Sequence, residues 1–521
     1  MDIDKLIARA TKAFQERDQN RQLFEDCYEY MLPYRNTFNN QDKTHNRPTV
    51  QYDSTAMHAA SNFVNTMQAN FTPLFTRWAE LKAGPGIDKK NRKKFNKELE
   101  KLTDIIFTYI NASNFSTASA EMFFDWGIGT GSLWLHEGDE NQPLNFVSSP
   151  MSQIGLSEGR FGTVDGRFRE YKVKARLLEA TWPNDDVKLD DSLRDMKRDN
   201  PDQEVAVIET FTYDYDMFVW RYKVIYEKSK HCLVEKEYKE DICFTPRWLK
   251  IPGHAMGIGP FVLAMADVKT LNKMKEYMLR NAALSVFGVY TVAGTGGFNP
   301  NTAKIAPNAF IPVERNGGPS GPSIQPLQRT GSFDIADYML NDLKESIRKT
   351  MLDTRLPEQQ ATPATAFEIA ERIKEFQQDI GSAYGRAMFE FVQPLFKRII
   401  SILERKGLIQ LPEGFEIDNF FVQVQVVSPI AQTQAIEDVN KFIQAFQMSA
   451  GIKPELALLA YEIEKAPQWI NEKTGAPAEL LRDITPEEIK KSLLSMAQAQ
   501  MQQGQNPADS AAQAQPAQGG V

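Results

Sequence analysis

Residues 260–408 constrain this chain most tightly: two helical stretches flank a long glycine- and proline-rich run, and a much longer helix follows. The first helix reads from about Leu263 to Phe287, with Asp267 in its opening turn and Leu271, Met274, Met278 and Ala282 on one face. The second reads from about Ser332 to Leu352. Ser332 fits an N-cap, Asp334 sits in the first turn, and Ala336, Leu340, Leu343, Ile347 and Met351 recur at helical spacing. Between them, Gly294, Gly296, Gly297, Gly317, Gly318 and Gly321 alternate with Pro300, Pro307, Pro312, Pro319, Pro322 and Pro326. A helical hairpin closes in roughly 2–8 residues. The stretch Gly288 to Gly331 is far longer and is apolar at Val289-Tyr290 and Ala309-Phe310-Ile311. It is expected to be a small module of its own, held at the far end of two antiparallel helices.

Asp353 to Pro363 then reads as a loop. Helix resumes either at Thr365, whose capping box is completed by Glu368, or at Thr362 with Pro363 in the first helical position. The stripe Ile369, Ile373, Phe376, Ile380, Tyr384, Met388, Phe391, Leu395, Ile399, Leu403 continues it. At about 1.5 Å per residue, such a helix spans roughly 60 Å. Gly381, Gly385 and Pro394 lie inside it, so a bend is expected there.

Upstream, residues 2–31 read as one helix ended by Leu32-Pro33, and 36–48 as loop. Helices follow from Asp53-Ser54-Thr55 to Phe71, over Asn91 to Ala112 and over Thr117 to Trp126, with a short strand near Trp78 and Leu81. The period then shortens to two. Ser132 to His136, Leu144 to Val147 and Thr163 to Arg176 read as strands, Trp182 to Gln203 as charged and turn-rich. Val205 to Tyr213, Phe218 to Tyr226 and Cys232 to Tyr238 read as an antiparallel meander. Past Gly407 come a strand, Phe420 to Val427, and helices over Thr433 to Ser449, Pro454 to Glu464 and Pro486 to Gln503. The tail from Gln498, without an aromatic, cannot offset its chain entropy and is expected to be mobile. The fold class is therefore helix-rich α+β.

The function classes narrow by subtraction. Net charge is −8, which argues against a surface built as a whole to neutralise phosphates, though not against weak or transient contact. Cys27, Cys232 and Cys243 make no disulfide framework and fit a reducing compartment; the spacing of Cys232 and Cys243 matches no metal signature, so they read as half-buried free thiols. No apolar run reaches the roughly 18 residues of a membrane span, and the first residues lack a signal peptide's basic and apolar regions. Gly127-Ile128-Gly129-Thr130-Gly131-Ser132 precedes a strand, whereas a dinucleotide fingerprint precedes a helix, so it reads as a turn. No Walker A sequence occurs. Asp185, Asp186, Asp190 and Asp191 read as a solvated loop, and the five histidines are scattered. No catalytic constellation, metal or cofactor is expected.

The order of parts resembles the portal, or head-to-tail connector, proteins of short-tailed, T7-like bacteriophages over about residues 10–450. The segments that carry it are Tyr30-Met31-Leu32-Pro33, Asp53-Ser54-Thr55-Ala56 leading to Phe71-Thr72-Pro73, and Arg77-Trp78-Ala79-Glu80-Leu81. Ser113-Asn114-Phe115 before Gly129-Thr130-Gly131 is another, as are Gly257-Ile258-Gly259-Pro260 leading to Leu271-Asn272-Lys273-Met274, and Ala364-Thr365-Ala366-Phe367-Glu368-Ile369. The resemblance implies a non-enzymatic, homo-dodecameric ring at the capsid vertex, around a channel for double-stranded DNA in packaging and ejection. It implies a wing (1–262, with the long helix and strand of 364–429), stem helices (263–287 and 332–352), a small α/β clip (288–331), a tunnel loop (353–363) and a helical crown (430–497), before the mobile tail (498–521). Implied partners are the terminase large subunit, a tail adaptor, the major capsid and scaffolding proteins and internal core proteins. Assembly would occur in the host cytoplasm, with no membrane involved.

Site residues follow as expectations. Arg348, Lys349, Arg355, Glu358, Gln359 and Gln360 would face or gate DNA. Phe298, Lys304, Phe310, Arg315 and Arg329 would meet partners at the clip. The first stem helix is the more basic and the second the more acidic, so Lys273, Lys275 and Arg280 are expected to pair with Asp342 and Glu345 of a neighbour. The competing reading is a scaffold or adaptor that binds a partner through the long helix and the Gly/Pro module without a channel.

Overall fold

A computed structural model describes residues 2–35, 51–87, 89–182, 187–294, 308–314, 316, 321–327, 333–353, 380–411, 422–426, 429–452 and a few isolated positions from 461 to 470. The chain divides into two compact units, Met1–Gln425 and Val426–Val521. The class is mixed helix and antiparallel sheet, as the alternation of periods requires.

Residues 2–31 form two helices where the sequence suggested one, α1 (Ile3–Asp18) and α2 (Arg21–Met31). The pattern on either side is amphipathic, but the polar run Asp18-Gln19-Asn20 offers no apolar side chain to carry the stripe across. α1 lays Ala10, Ala13 and Phe14 on Phe168 and Ile208 of the main sheet. Next come α3 (Thr55–Phe71), β1 (Ala79–Ala83), α4 (Lys89–Ala112) and α5 (Phe115–Ile128). Asp53 Oδ1 accepts the Thr55 N–H at 2.8 Å, satisfying one orphan donor at the start of α3.

The β region opens with β2 (Leu133–Glu137), β3 (Leu144–Ser148), β4 (Ile154–Glu158) and β5 (Val164–Lys174). The stretch 182–203, read as turns, contains α7 (Asp191–Asp199) behind a four-residue α6 (Leu178–Thr181). Asp190 supplies the missed N-cap, accepting the Leu193 N–H at 2.8 Å, and Lys197 and Arg198 close the last turn. Then follow β6 (Glu204–Asp214), β7 (Val219–Tyr226), β8 (His231–Tyr238), β9 (Cys243–Phe244), β10 (Leu249–Lys250) and β11 (Gly257–Ile258). β4-β5-β6-β7-β8 make a five-stranded antiparallel sheet, and β3-β2-β9 a second sheet. Cys232 and Cys243 fall in different sheets, and all three cysteines are free thiols.

The first helix of the long-helix region, α8 (Pro260–Phe287), starts three residues before the sequence reading, with Pro260 preset for the first turn. Gly288, at φ +70°, turns the chain into β12 (Val289–Ala293). β12 lies between β13 (Ala309–Val313), its parallel neighbour, and β14 (Ile324–Pro326), its antiparallel one. Val289 and Ile311 are the buried residues of this small sheet. α9 (Phe333–Thr350) returns alongside α8.

Of the long helix, residues 380–387 are helical and run into a π-helical turn, Met388–Val392, then α10 (Gln393–Arg405). The irregularity falls between Gly385 and Pro394, where the breakers predicted a bend. Gly407, at φ +68°, ends α10: its N–H donates to Glu404 O and that of Leu408 to Leu403 O, at 2.8 and 2.9 Å. β15 (Val422–Val426) pairs with β1. In the second unit α11 (Pro429–Ile452) starts earlier and ends later than its apolar stripe suggested. The helices expected at 454–464 and 486–503 and the tail from 498 lie outside the described residues, save isolated positions.

Candidate functional site

The site is built on two rods. α8 has 28 residues, roughly 42 Å of helix at about 1.5 Å per residue. Its buried apolar residues, Phe261, Ala264, Met265, Val268 and Leu271, all lie in the first half. There the base is wedged among α2, α3 and α5, with Phe261 edge-on to Phe63, centroids 5.1 Å apart. Polar ties brace the base: Lys269 Nζ to Asp26 Oδ2 at 2.5 Å, and Asn272 Oδ1 accepting the Tyr52 N–H at 2.7 Å. Beyond Asn272 the rod projects, and the sheet β12–β14 at its end makes no substantial packing with the body strands among the described residues.

The projecting half is apolar without being covered. Tyr277, Leu279, Val286 and Phe287 on α8 are 57, 48, 79 and 52 % exposed, and Tyr338 and Met339 on α9 are 76 and 50 %. On α8 these exposed apolar residues are interleaved with Lys273, Lys275, Glu276 and Arg280.

The rods' charges sort unequally. Lys273 Nζ lies 2.8 Å from Glu276 Oε2, and Arg280 closes on the same carboxylate from the next turn. The hydrogen bond from Lys273, assisted by Arg280, draws the Glu276 carboxyl below the ordinary carboxylate range. The cations folded over Glu276 account for its low exposure. So two of the three cations expected to reach a neighbour, Lys273 and Arg280, have a partner within their own helix. Lys275 is half-buried. Asp342 and Glu345 are exposed, and neither has an ion-pair partner among the described residues. Between the rods, Ser346 Oγ donates to Asp267 Oδ2 at 2.8 Å.

At the end of α9, Arg348 and Lys349 are exposed in the last turn. Met351 and Leu352 are buried, and Leu352 adopts φ +58°. Asp353 is held twice: its N–H donates to Arg348 O at 2.8 Å and its Oδ2 accepts from Asn62 Nδ2 at 2.9 Å. The next chain segment thus departs from a fixed point on α3. Arg355, Glu358, Gln359 and Gln360 lie outside the described residues, as do Phe298, Lys304, Arg315 and Arg329. Phe310, on β13, is 62 % exposed and stacked on Tyr290, ring centroids 5.6 Å apart.

The sequence reading missed the clamps that fix the long helix. Arg247, 2 % exposed, reaches Glu390 of the π-helical turn through Nη2 at 2.6 Å, and its backbone N–H donates to the same carboxylate at 2.9 Å. Its Nη1 lies 3.1 Å from Glu158. Arg398, 1 % exposed, meets Glu137 at 3.3 Å and packs over the Tyr238 ring at 4.7 Å. A lone Glu390 between glycines and a proline was the available signal; its partner lies 143 residues away and no local pattern marks it. Among the described residues no carboxylate, histidine and cysteine cluster is arranged to hold a metal ion.

A curated relative, the "Probable portal protein" of Bordetella phage BPP-1, is 23 % identical over 477 residues, covering 87 % of this chain and 84 % of the relative. Among solved structures, a chain from the "Virion of native gene transfer agent (GTA) particle" gives a TM-score of 0.34 at 11 % identity, over 75 % of this chain and 85 % of that one. A chain from the "Neck of empty GTA particle computed with C6 symmetry" gives 0.33 at 10 % identity, over 74 and 86 %. The sequence profile of one family spans residues 3–481, nearly the whole chain. The chain belongs to that family, described as "Bacteriophage head to tail connecting protein".

Proposed function

We propose that this chain is the repeating subunit of a dodecameric portal ring in a short-tailed, T7-like phage, with copies side by side around a channel for double-stranded DNA. The observation that carries the reading is the uncovered apolar surface of the projecting rods. Burying a Val, Leu or Phe side chain stabilises by about 1.5–3 kcal/mol, so each exposed ring and branched chain favours a neighbour. Head-to-tail contacts that close on themselves cover every copy equally and leave no end.

In this reading the rods α8 and α9 are the stem, the sheet β12–β14 is part of the clip, and the segment leaving Asp353 is the tunnel loop. The body with the long helix is the wing, and 430–497 is the crown. Arg348 and Lys349 stand where the loop departs, so they would set the charge that DNA meets there. With a net charge of −8 per copy, the chain as a whole does not attract phosphate, which suits a conduit that must release its cargo. The clip would dock the terminase motor first and a tail adaptor later. The role is mechanical and needs no cofactor.

Native mass measurement of the purified full-length chain tests this. A single closed oligomer of about twelve copies is expected. A monomer, a dimer or an open-ended series would overturn the ring and favour the adaptor reading.

A further inference from the structure

Helix α4 carries its charge in the order its own backbone opposes. Lys89, Lys90, Arg92, Lys93, Lys94 and Lys97 precede its first acid, Glu98, and the first turn has no acidic residue. The N-terminus is the positive end of the helix dipole, so cations there destabilise the helix. Lys94, Lys97 and Lys101 are exposed at helical spacing, opposite the buried stripe of Leu99, Leu102, Ile106 and Ile110, and Lys90 continues the same spacing. Like charges three and four apart repel.

Within the face, exposed Glu98 lies one turn from both Lys94 and Lys101 but closes an ion pair with neither among the described residues, so three lysines against one carboxylate leave the face net positive. Two acids on the flank of the stripe, Glu100 and Asp104, are taken by Arg77. Arg92 turns away to donate to Gly84 O at 3.2 Å. Among the described residues no carboxylate pairs with Lys94, Lys97 or Lys101. Fields from the rest of an acidic chain are screened beyond about 10 Å at ordinary salt, so the net charge does not cancel a local stripe.

The occupant follows from the residue types. Protein interfaces are depleted in lysine and centre on aromatic, Met and Arg anchors. Here Leu99 is buried, Phe95 half-buried, and the one large exposed apolar group described on α4, Ile105, lies past the lysines. Lysine point charges without an apolar anchor suit a phosphate backbone, contacted without regard to sequence. We infer that the Lys94–Lys97–Lys101 face of α4 binds the phosphate backbone of double-stranded DNA independently of any channel.

The test uses full-length protein and relaxed, covalently closed circular DNA, which has no end to thread through a ring. Wild-type protein is expected to bind with a steep salt dependence. Replacing Lys94, Lys97 and Lys101 together by Glu should weaken binding at least about a hundred-fold near ~0.1 M salt and lower the log–log salt slope by about three. Replacing the three by Arg should preserve binding. Unchanged affinity in the Glu variant overturns the inference, as does equal loss in the Arg variant. Polyglutamate displacing the DNA at equal charge would overturn it in favour of an acidic protein partner. Binding of circular DNA by a protein that forms no ring would uphold this contact while overturning the portal reading.

Discussion

At the scale of residues, the body is held by a few buried ions whose partners are remote in sequence. Arg247 is the clearest: removing Glu390 leaves a guanidinium 2 % exposed with Glu158 as its remaining carboxylate. Glu390→Ala is expected to destabilise the protein by on the order of 3 kcal/mol, read as a lower urea midpoint, whereas an unchanged midpoint would show that the clamp is idle. His136 gives a pH signature. Burial, reinforced by Arg169, Arg398 and Lys236 and opposed by Glu209, pushes its imidazole below the ordinary value of 6.5. Below that pH the unfolded chain gains a proton that the folded chain refuses, so stability falls as pH falls from 6.5 toward the depressed folded value. His136→Gln should flatten that decline in urea titrations between about pH 7.5 and 5.5; parallel curves for both proteins would refute it. The glycines at 127–131 show what a motif conceals. They read as a permitted turn, but Gly129 is required because a Cβ there would meet Gly257 O at 2.1 Å, where two backbone segments run together. The sequence marks the glycine and not the segment it must approach.

At the scale of elements, legibility followed period and length. The rods were readable because their stripes run many turns, and Pro260 and Gly288 mark both ends of the first. The meander β6–β7–β8 was readable because its runs of β-branched and aromatic residues are bounded by turn signals. Two short pieces were not: β4 offers only Ile154 and Leu156 as apolar residues, and α7 only Leu193 and Met196, so α7 depends on the single cap Asp190. Ion pairing was half legible. The sequence separates a basic rod from an acidic one, but Glu276 captures Lys273 and Arg280 on their own helix, a pairing that net charge per helix hides and that their three- and four-residue spacing marks. Asp342 and Glu345 therefore become the sharper probes. Changing both to Lys should leave the unfolding free energy of the subunit within about 0.5 kcal/mol of wild type, since surface positions tolerate substitution, while lowering oligomer mass or making it salt-sensitive. Assembly that is unaltered and insensitive to salt would refute a charge match between neighbouring rods.

At the scale of the molecule, a body built of sheets and helices carries two rods ending in a small sheet. Its charge is divided: acidic overall, with a lysine stripe on α4. The rods leave apolar groups of α8 and α9 exposed. In the proposed ring, neighbouring copies cover those rods and enclose a bore. Electron microscopy of the purified full-length protein measures this directly. A rotationally symmetric annulus with a central opening wide enough for a duplex, the rods lining it, is the predicted image. Isolated particles without an opening, or rods folded into a solitary body, would contradict it.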